Sequence, residues 1–292
     1  MEAEKINRLT VRDKLHFYRR HPFSFAAFLL VCLAALITAA LVLILIGYIL
    51  IKGIPNLKPD LFAWEYNSIN VSMMPAILNT LTMTVLTLIF AVPVGICSAI
   101  YLVEYAKRGN KIVSVIRVTT ETLAGIPSIV FGLFGYLIFV IAFHLNLSML
   151  SGALTLSIMI LPTIIRTTEE ALKAVPDSYR EGSFGLGAGR LRTVFRVVLP
   201  SAVPGILSGI ILSIGRIVGE TAALIYTSGT VAGIPENLLR SGRTLSVHMY
   251  ALLSEGLYTD QAYATAVVLL LLVLAINGLS GLAARKIQAN KG

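Results

Sequence analysis

The chain has 292 residues, 56% of them hydrophobic and 13% charged. A soluble domain carries about 25% charged residues, so this composition excludes an ordinary water-soluble fold and points to the membrane. The formal net charge of +9 does not indicate nucleic acid, because the basic residues sit between apolar runs rather than on one continuous face.

Residues 1–22 carry Lys5, Arg8, Arg12, Lys14, Arg19 and Arg20, with Leu9, Val11, Leu15 and Phe17 as an imperfect apolar face. The pattern fits a helix on the cytoplasmic membrane surface or a frayed tail. Residues 23–51 hold no charge and exceed the roughly 20 apolar residues that span a bilayer. The run is too long for a signal-peptide core and reads as an anchor. Residues 52–75 form a polar loop with Pro55, Pro59, Trp64 and Tyr66. A second span follows at about 76–103, with Pro93 as a kink. Residues 104–120 read as a short basic loop.

No formal charge occurs from Thr122 to Ile165, which is too long for one helix. Two spans are expected, broken between His144 and Ser151. The third carries Gly125, Ser128, Gly132 and Gly135 on one face, where small residues admit a close neighbour. The fourth ends near Ile165. A fifth runs from about 203 to 227. Residues 228–261 are a polar loop with a surface helix near Leu245 to Leu253, and a sixth span covers 262–284. Cys32 and Cys97 fall inside spans and read as buried packing residues, with no disulfide framework or metal spacing.

The interval 166–204 is the longest polar stretch with helical character. Pro176 suits a helix start. Gly185, Gly187 and Gly189 suit a tight turn. Leu191, Val194, Phe195, Val198 and Leu199 then make an apolar helix face, which Leu199-Pro200 is expected to terminate. Six spans leave both ends on one side. Nineteen of the 24 Lys and Arg fall in the two tails, 104–120 and 166–200. Four lie in the opposite loops: Lys52, Lys58, Arg240 and Arg243. The bias places the tails and the 166–204 loop in the cytoplasm.

The remaining cation, Arg216, falls within the fifth span, with Glu220 four residues on. Gly205, Gly209, Ser213, Arg216, Gly219, Glu220 and Ala223 make a small and polar stripe that would face protein or a pore. An arginine at mid-bilayer costs about 2.5–3.5 kcal/mol on insertion scales, so it needs a partner or water. Either Arg216 and Glu220 pair to fix packing, or Arg216 lines a path and its planar donor fork attracts an oxyanion. No Gly-x-x-x-x-Gly-Lys-Ser/Thr loop is present, so ATP hydrolysis would belong to a partner. His16, His21, His144 and His248 show no metal-ligand spacing.

Glu181-Gly182-Ser183, Gly187, Val197 and Leu199-Pro200 resemble the Glu-Ala-Ala, Gly, Ile and Leu-Pro pattern by which ABC-importer permeases dock onto their ATPases. Gly182, Ser183 and Val197 depart from it. Gly215-Arg216-Ile217-Val218-Gly219-Glu220-Thr221-Ala222 resembles the fifth-span signature of phosphate-specific ABC permeases, with Ala223 where that family has proline. Ala99 to Tyr105, Gly125 to Leu133 and Leu161 to Glu170 are similar to the same family, and the likeness covers most of 74–285.

The resemblance implies an all-α polytopic membrane protein with six transmembrane helices, a type I importer permease fold, and a permease core at 76–285. It implies a transport permease rather than an enzyme. Arg216 and Glu220 would serve phosphate passage, and Glu181, Gly187, Leu199 and Pro200 the ATPase coupling. It implies a homologous sister permease, two ATPase subunits that bind the ATP, an extracytoplasmic phosphate-binding protein and membrane lipid as partners, with no metal and no cofactor of its own. Molybdate or sulfate import, a membrane scaffold in phosphate signalling, and an intramembrane enzyme are the competing readings.

Overall fold

A computed structural model describes residues 22–107, 109 and 111–289. Residues 1–21 of the surface helix expected at 1–22 lie outside the described residues. Among them every regular element is helical. Five helices are long and apolar enough to cross a membrane, or six if one sharply bent pair counts as a single span.

Helix α1 (Pro22–Gly53) is apolar on all sides, as a span meeting lipid or another apolar surface requires. Its first 30 residues belong to a compact unit separate from the one that begins at Lys52. The second unit opens with two short 3₁₀ turns and continues into α2 (Met74–Ile100), which carries Pro93 and ends in a wider π turn, Tyr101–Tyr105. The expected basic loop is largely helical: α3 occupies Lys111–Ala124. A break at Gly125-Ile126-Pro127 then turns the chain by 108° into α4 (Ser128–Gly135) and a π turn, Tyr136–Ala142. Gly125 therefore lies at a corner and not in a helical stripe. Pro127 explains the corner, since it disfavours helical geometry in the residue before it.

Helix α5 (Met149–Lys173) is the centre of the second unit and packs along α2. Ser148 caps it, its Oγ accepting from Ser151 N. The helix continues past Ile165 because Arg166–Glu170 and Glu169–Lys173 pair at i,i+4 and support the polar last turns. Met83, Met149, Leu156, Met159, Ile160 and Ile164 form the core with Ile217 and Leu224 from later helices. Gly135 meets Thr155 of α5 so closely that a methyl group there would overlap the threonine side chain.

Helix α6 (Asp177–Gly185) follows Pro176, and Gly187 makes the turn with φ +80°. Helix α7 (Arg190–Thr193) runs through a π turn, Val194–Val198, directly into α8 (Leu199–Gly219). The expected stop at Leu199-Pro200 does not occur. Leu199 keeps helical angles and its N–H reaches Val194 O, five residues back. The widened turn makes room for the proline ring that would otherwise clash one turn earlier. Val194 and Val198 are buried while Leu191 and Phe195 are exposed, so the expected apolar face is split between core and surface.

Helix α8 ends at Gly219, and a short α9 (Ala222–Thr227) follows after a break. Helix α10 (Leu245–Glu255) was expected at the surface, but Leu245, Val247, His248 and Leu252 are buried. Helix α11 (Thr259–Ala289) packs against α8 and α10. Cys32 and Cys97 are exposed, correcting their assignment as buried packing residues.

Candidate functional site

Two regions carry the residues singled out from the sequence. The first is the hairpin of α6 and α7. Glu181 and Gly187 are both exposed on it, and the left-handed conformation at residue 187 is one that glycine adopts without strain. Ser183, a departure from the alanine of the pattern, lies 2.9 Å from Thr193 across the hairpin and ties α6 to α7. Tyr179, Phe184, Leu186, Leu191 and Phe195 are exposed around it. Leu199 and Pro200 lie in the continuous helix beyond, half-buried.

Arg180, which the sequence reading passed over, anchors this hairpin. Its Nη2 lies 2.8 Å from Glu104 Oε1 and 2.9 Å from Leu172 O. Its Nε donates to the same Glu104 oxygen, and its Nη1 to Val175 O and Asp177 Oδ1. Arg190 stacks over Tyr105 at 5.3 Å. Glu104 and Tyr105 are the last two residues of the π turn that ends α2, so the hairpin grips that turn at two adjacent side chains. Beside it, Glu169 accepts from both Arg117 and Lys173 at 2.7 Å. The available signal was Arg180 standing next to Glu181, but its acidic partner is 76 residues away.

The second region is the end of α8. Gly205 and Gly209 press against Ala171 and Thr167 of α5, and Ser213 is fully buried. The stripe then opens: Arg216 is half-buried, and nothing lies near the Cα hydrogens of Gly219. Gly215 faces Asn277 of α11, whose Oδ1 is buried without a hydrogen-bond partner.

Glu220 is not one helical turn beyond Arg216. It follows the end of α8 in an extended conformation, φ −72° and ψ 130°. Its Oε1 accepts from Ala223 N and caps α9, while its carbonyl accepts from Ser246 Oγ of α10. No ion pair joins it to Arg216 among the described residues. The structure therefore brings the hairpin residues together and leaves Arg216 and Glu220 without an ion pair between them. The break at 220–221 and the corner at 125–127 border one core cluster: Ile126 and Phe131 on one side, Ile217 and Ala223 on the other. Discontinuous helices whose halves pack together are a recurrent way to build a polar site at membrane depth.

A helical bundle with a gripped polar hairpin at one end and broken helices beside a half-buried arginine fits a transport permease. The chain belongs to the family described as binding-protein-dependent transport system inner membrane component, whose profile matches residues 91–289. It is 34% identical over 263 residues to the probable ABC transporter permease protein YqgI of Bacillus subtilis, covering 84% of this chain and 89% of that one. It is 36% identical over 208 residues to the phosphate transport system permease protein PstA of Mycobacterium leprae, covering 69% and 67%. Among solved structures it resembles the inward-facing MetNI methionine ABC transporter, with a TM-score of 0.63, 21% identity and coverage of 74% and 95%. It also resembles a bacterial alginate ABC transporter in complex with an alginate pentasaccharide-bound periplasmic protein, with a TM-score of 0.66, 18% identity and coverage of 93% and 97%. These structures share the fold.

Proposed function

We propose that this chain is a permease subunit of an ATP-driven importer of inorganic phosphate. The observation that carries the reading is Arg216, a half-buried guanidinium just before the break in α8, in a chain whose relatives include a phosphate transport system permease. A guanidinium at membrane depth, beside backbone freed by a helix break, offers oriented donors to an oxyanion without dehydrating it completely.

The chain pairs with a homologous sister permease to enclose the path. An extracytoplasmic binding protein delivers phosphate, and two ATPase subunits, which bind the ATP, engage the α6–α7 hairpin on the cytoplasmic side. The charge bias of the loops supports that orientation, with both tails in the cytoplasm. Glu181 and Gly187 set the docking geometry. Leu199 and Pro200 sit where the hairpin becomes α8, so displacement of the hairpin acts on the helix that holds Arg216. Glu220 shapes the break by capping α9 and presents its carboxylate beside the path. Arg180 and Arg190 carry the same displacement to α2.

The test is ATP-dependent phosphate uptake by the full complex in liposomes. Arg216→Gln is expected to lower uptake at least tenfold, with ATPase assembly unchanged. Uptake at the unaltered rate in Arg216→Gln would overturn the path assignment. Competition by sulfate or molybdate equal to that by phosphate would overturn the substrate.

A further inference from the structure

A cluster of unmatched polar groups lies at the opposite end of α2 from the hairpin. Segment 228–244 returns over the start of α2 and leads into α10. Arg243 N donates to Val231 O at 2.9 Å, and Asn79 Nδ2 of α2 donates to the carbonyls of Arg243 and Gly233, each at 3.1 Å. These bonds hold the Arg243 side chain inside, 5% exposed, with its guanidinium 4.7 Å from the centre of the Tyr66 ring. His248, 1% exposed, meets the same ring edge-on at 6.2 Å. Nε and Nη2 of Arg243 are buried with no hydrogen-bond partner among the described residues, and the ring nitrogens of His248 are buried with the Val71 carbonyl as their backbone neighbour.

A guanidinium stays charged, so burial cannot neutralise Arg243. The ion pairs among the described residues sit elsewhere, on Glu104, Glu169, Glu170 and Asp177. The face of Tyr66 offsets part of the charge. Nε–H and Nη2–H form the guanidinium edge that meets two oxygens of one oxyanion side by side. Burial first, and then the Arg243 charge, push the His248 pKa down to about 3 against the Val71 carbonyl, so the imidazole is neutral, its N–H is directed to that carbonyl and its other nitrogen offers a lone pair. The missing partner is therefore a small anion that brings two oxygens to the arginine and a hydrogen of its own to the histidine. Protonated phosphate does both; sulfate and chloride lack the hydrogen.

We propose that Arg243, His248 and Tyr66 form a second anion site, distinct from Arg216, that takes a hydroxyl-bearing oxyanion, inorganic phosphate. The site follows from the unmatched groups, whereas the choice of phosphate rests on the function proposed above. A cavity of about 610 Å³ is lined by Val231, Gly233, Glu236 and Arg240 of segment 228–244. Val231 and Gly233 also supply the carbonyls that hold the Arg243 backbone and the Asn79 side chain, so the cavity borders the segment that carries Arg243.

The experiment is equilibrium binding of radiolabelled phosphate to the purified permease–ATPase complex, without binding protein, carrying Arg216→Gln to remove the path cation. Binding is expected to persist, to be displaced by arsenate rather than sulfate, and to weaken at least tenfold when Arg243→Lys is added. Lysine keeps the charge but loses the two-toothed edge. His248→Phe keeps the contact with Tyr66 and is expected to abolish the preference over sulfate. It reads the same site if the lysine variant does not assemble. Loss of uptake in Arg216→Gln with no residual binding would overturn this site and leave the phosphate reading standing. Unaltered affinity in Arg243→Lys, an unaltered preference in His248→Phe, or displacement by phosphatidylglycerol, which would assign the pocket to a lipid phosphodiester, would also overturn it.

Discussion

Arg180 Nη2 lies 2.8 Å from Glu104 Oε1, joining the α6–α7 hairpin to the end of α2 through a pair in which both side chains are largely buried. Removing one member of such a pair strands the other charge and costs about 3–5 kcal/mol. Glu104→Ala is therefore expected to lower the melting temperature of the complex and to reduce phosphate moved per ATP hydrolysed several-fold. The exchange Glu104→Arg with Arg180→Glu should recover part of the coupling but not all, because the carbonyls of Leu172 and Val175 then lose their donor. Uptake and ATP hydrolysis measured on the same liposomes decide it; an unchanged ratio in Glu104→Ala would remove the pair from the coupling route.

The hairpin supplies an internal control. Nothing crowds Gly182 or Gly187, but only Gly187 is left-handed. Gly187→Ala should cost roughly 1–2 kcal/mol through its backbone alone. Gly182→Ala, within α6, should be neutral or slightly stabilising. Pull-down of the ATPase subunits is expected to weaken for the first variant and not for the second.

Gly209 and Thr167 test the contact of α8 on α5. Gly209→Ala overlaps Thr167 and is expected to destabilise by about 1–3 kcal/mol. Thr167→Ala in the same chain removes the hydroxyl but leaves Cβ 2.6 Å from the added methyl, so it should restore only part of the loss. Thermal melting of the single and double variants shows whether the two positions are coupled.

Glu220→Ala removes the cap on α9 and should cost about 0.5–2 kcal/mol, whereas Glu220→Gln keeps an acceptor for Ala223 N and should cost less. Uptake is expected to rank unaltered chain, Gln, Ala. Equal loss in the two variants would show that the carboxylate charge, and not the cap, is what the break needs.

His248 makes stability depend on pH. Its folded pKa, about 3, lies below the unfolded value of 6.5. Between the two the unfolded chain binds the extra proton, so stability falls as pH drops through 6.5 and levels off below 3. The slope in that window approaches 1.4 kcal/mol per pH unit, and His248→Gln should remove it. Melting temperatures of the two proteins from pH 7.5 to 4.5 give the comparison.

Apolar length made the long spans legible, because a bilayer demands it whatever the tertiary contacts. Polar helix ends were not: Thr167 to Lys173 and Lys111 to Thr120 read as loop, yet i,i+4 pairs and a glutamate shared with Arg117 hold them in helices. Arg216 and Glu220 show why spacing alone misleads, since i,i+4 neighbours share a face only while the helix continues, and it stops at Gly219. Arg180 and Arg243 were invisible as site residues for a different reason. Each is defined by neighbours more than 70 positions away, Glu104 in one case and Asn79 in the other.

The π turn at Tyr101–Tyr105 holds one residue more than an α turn closed over the same rise. That surplus residue sets the azimuth of everything after it. Shortening the turn by one would swing Glu104 and Tyr105 about 100° around the axis, away from Arg180 and Arg190 together. The two grips thus share one register, and a single-residue deletion there would disengage the hairpin from α2 without altering the chemistry of any side chain.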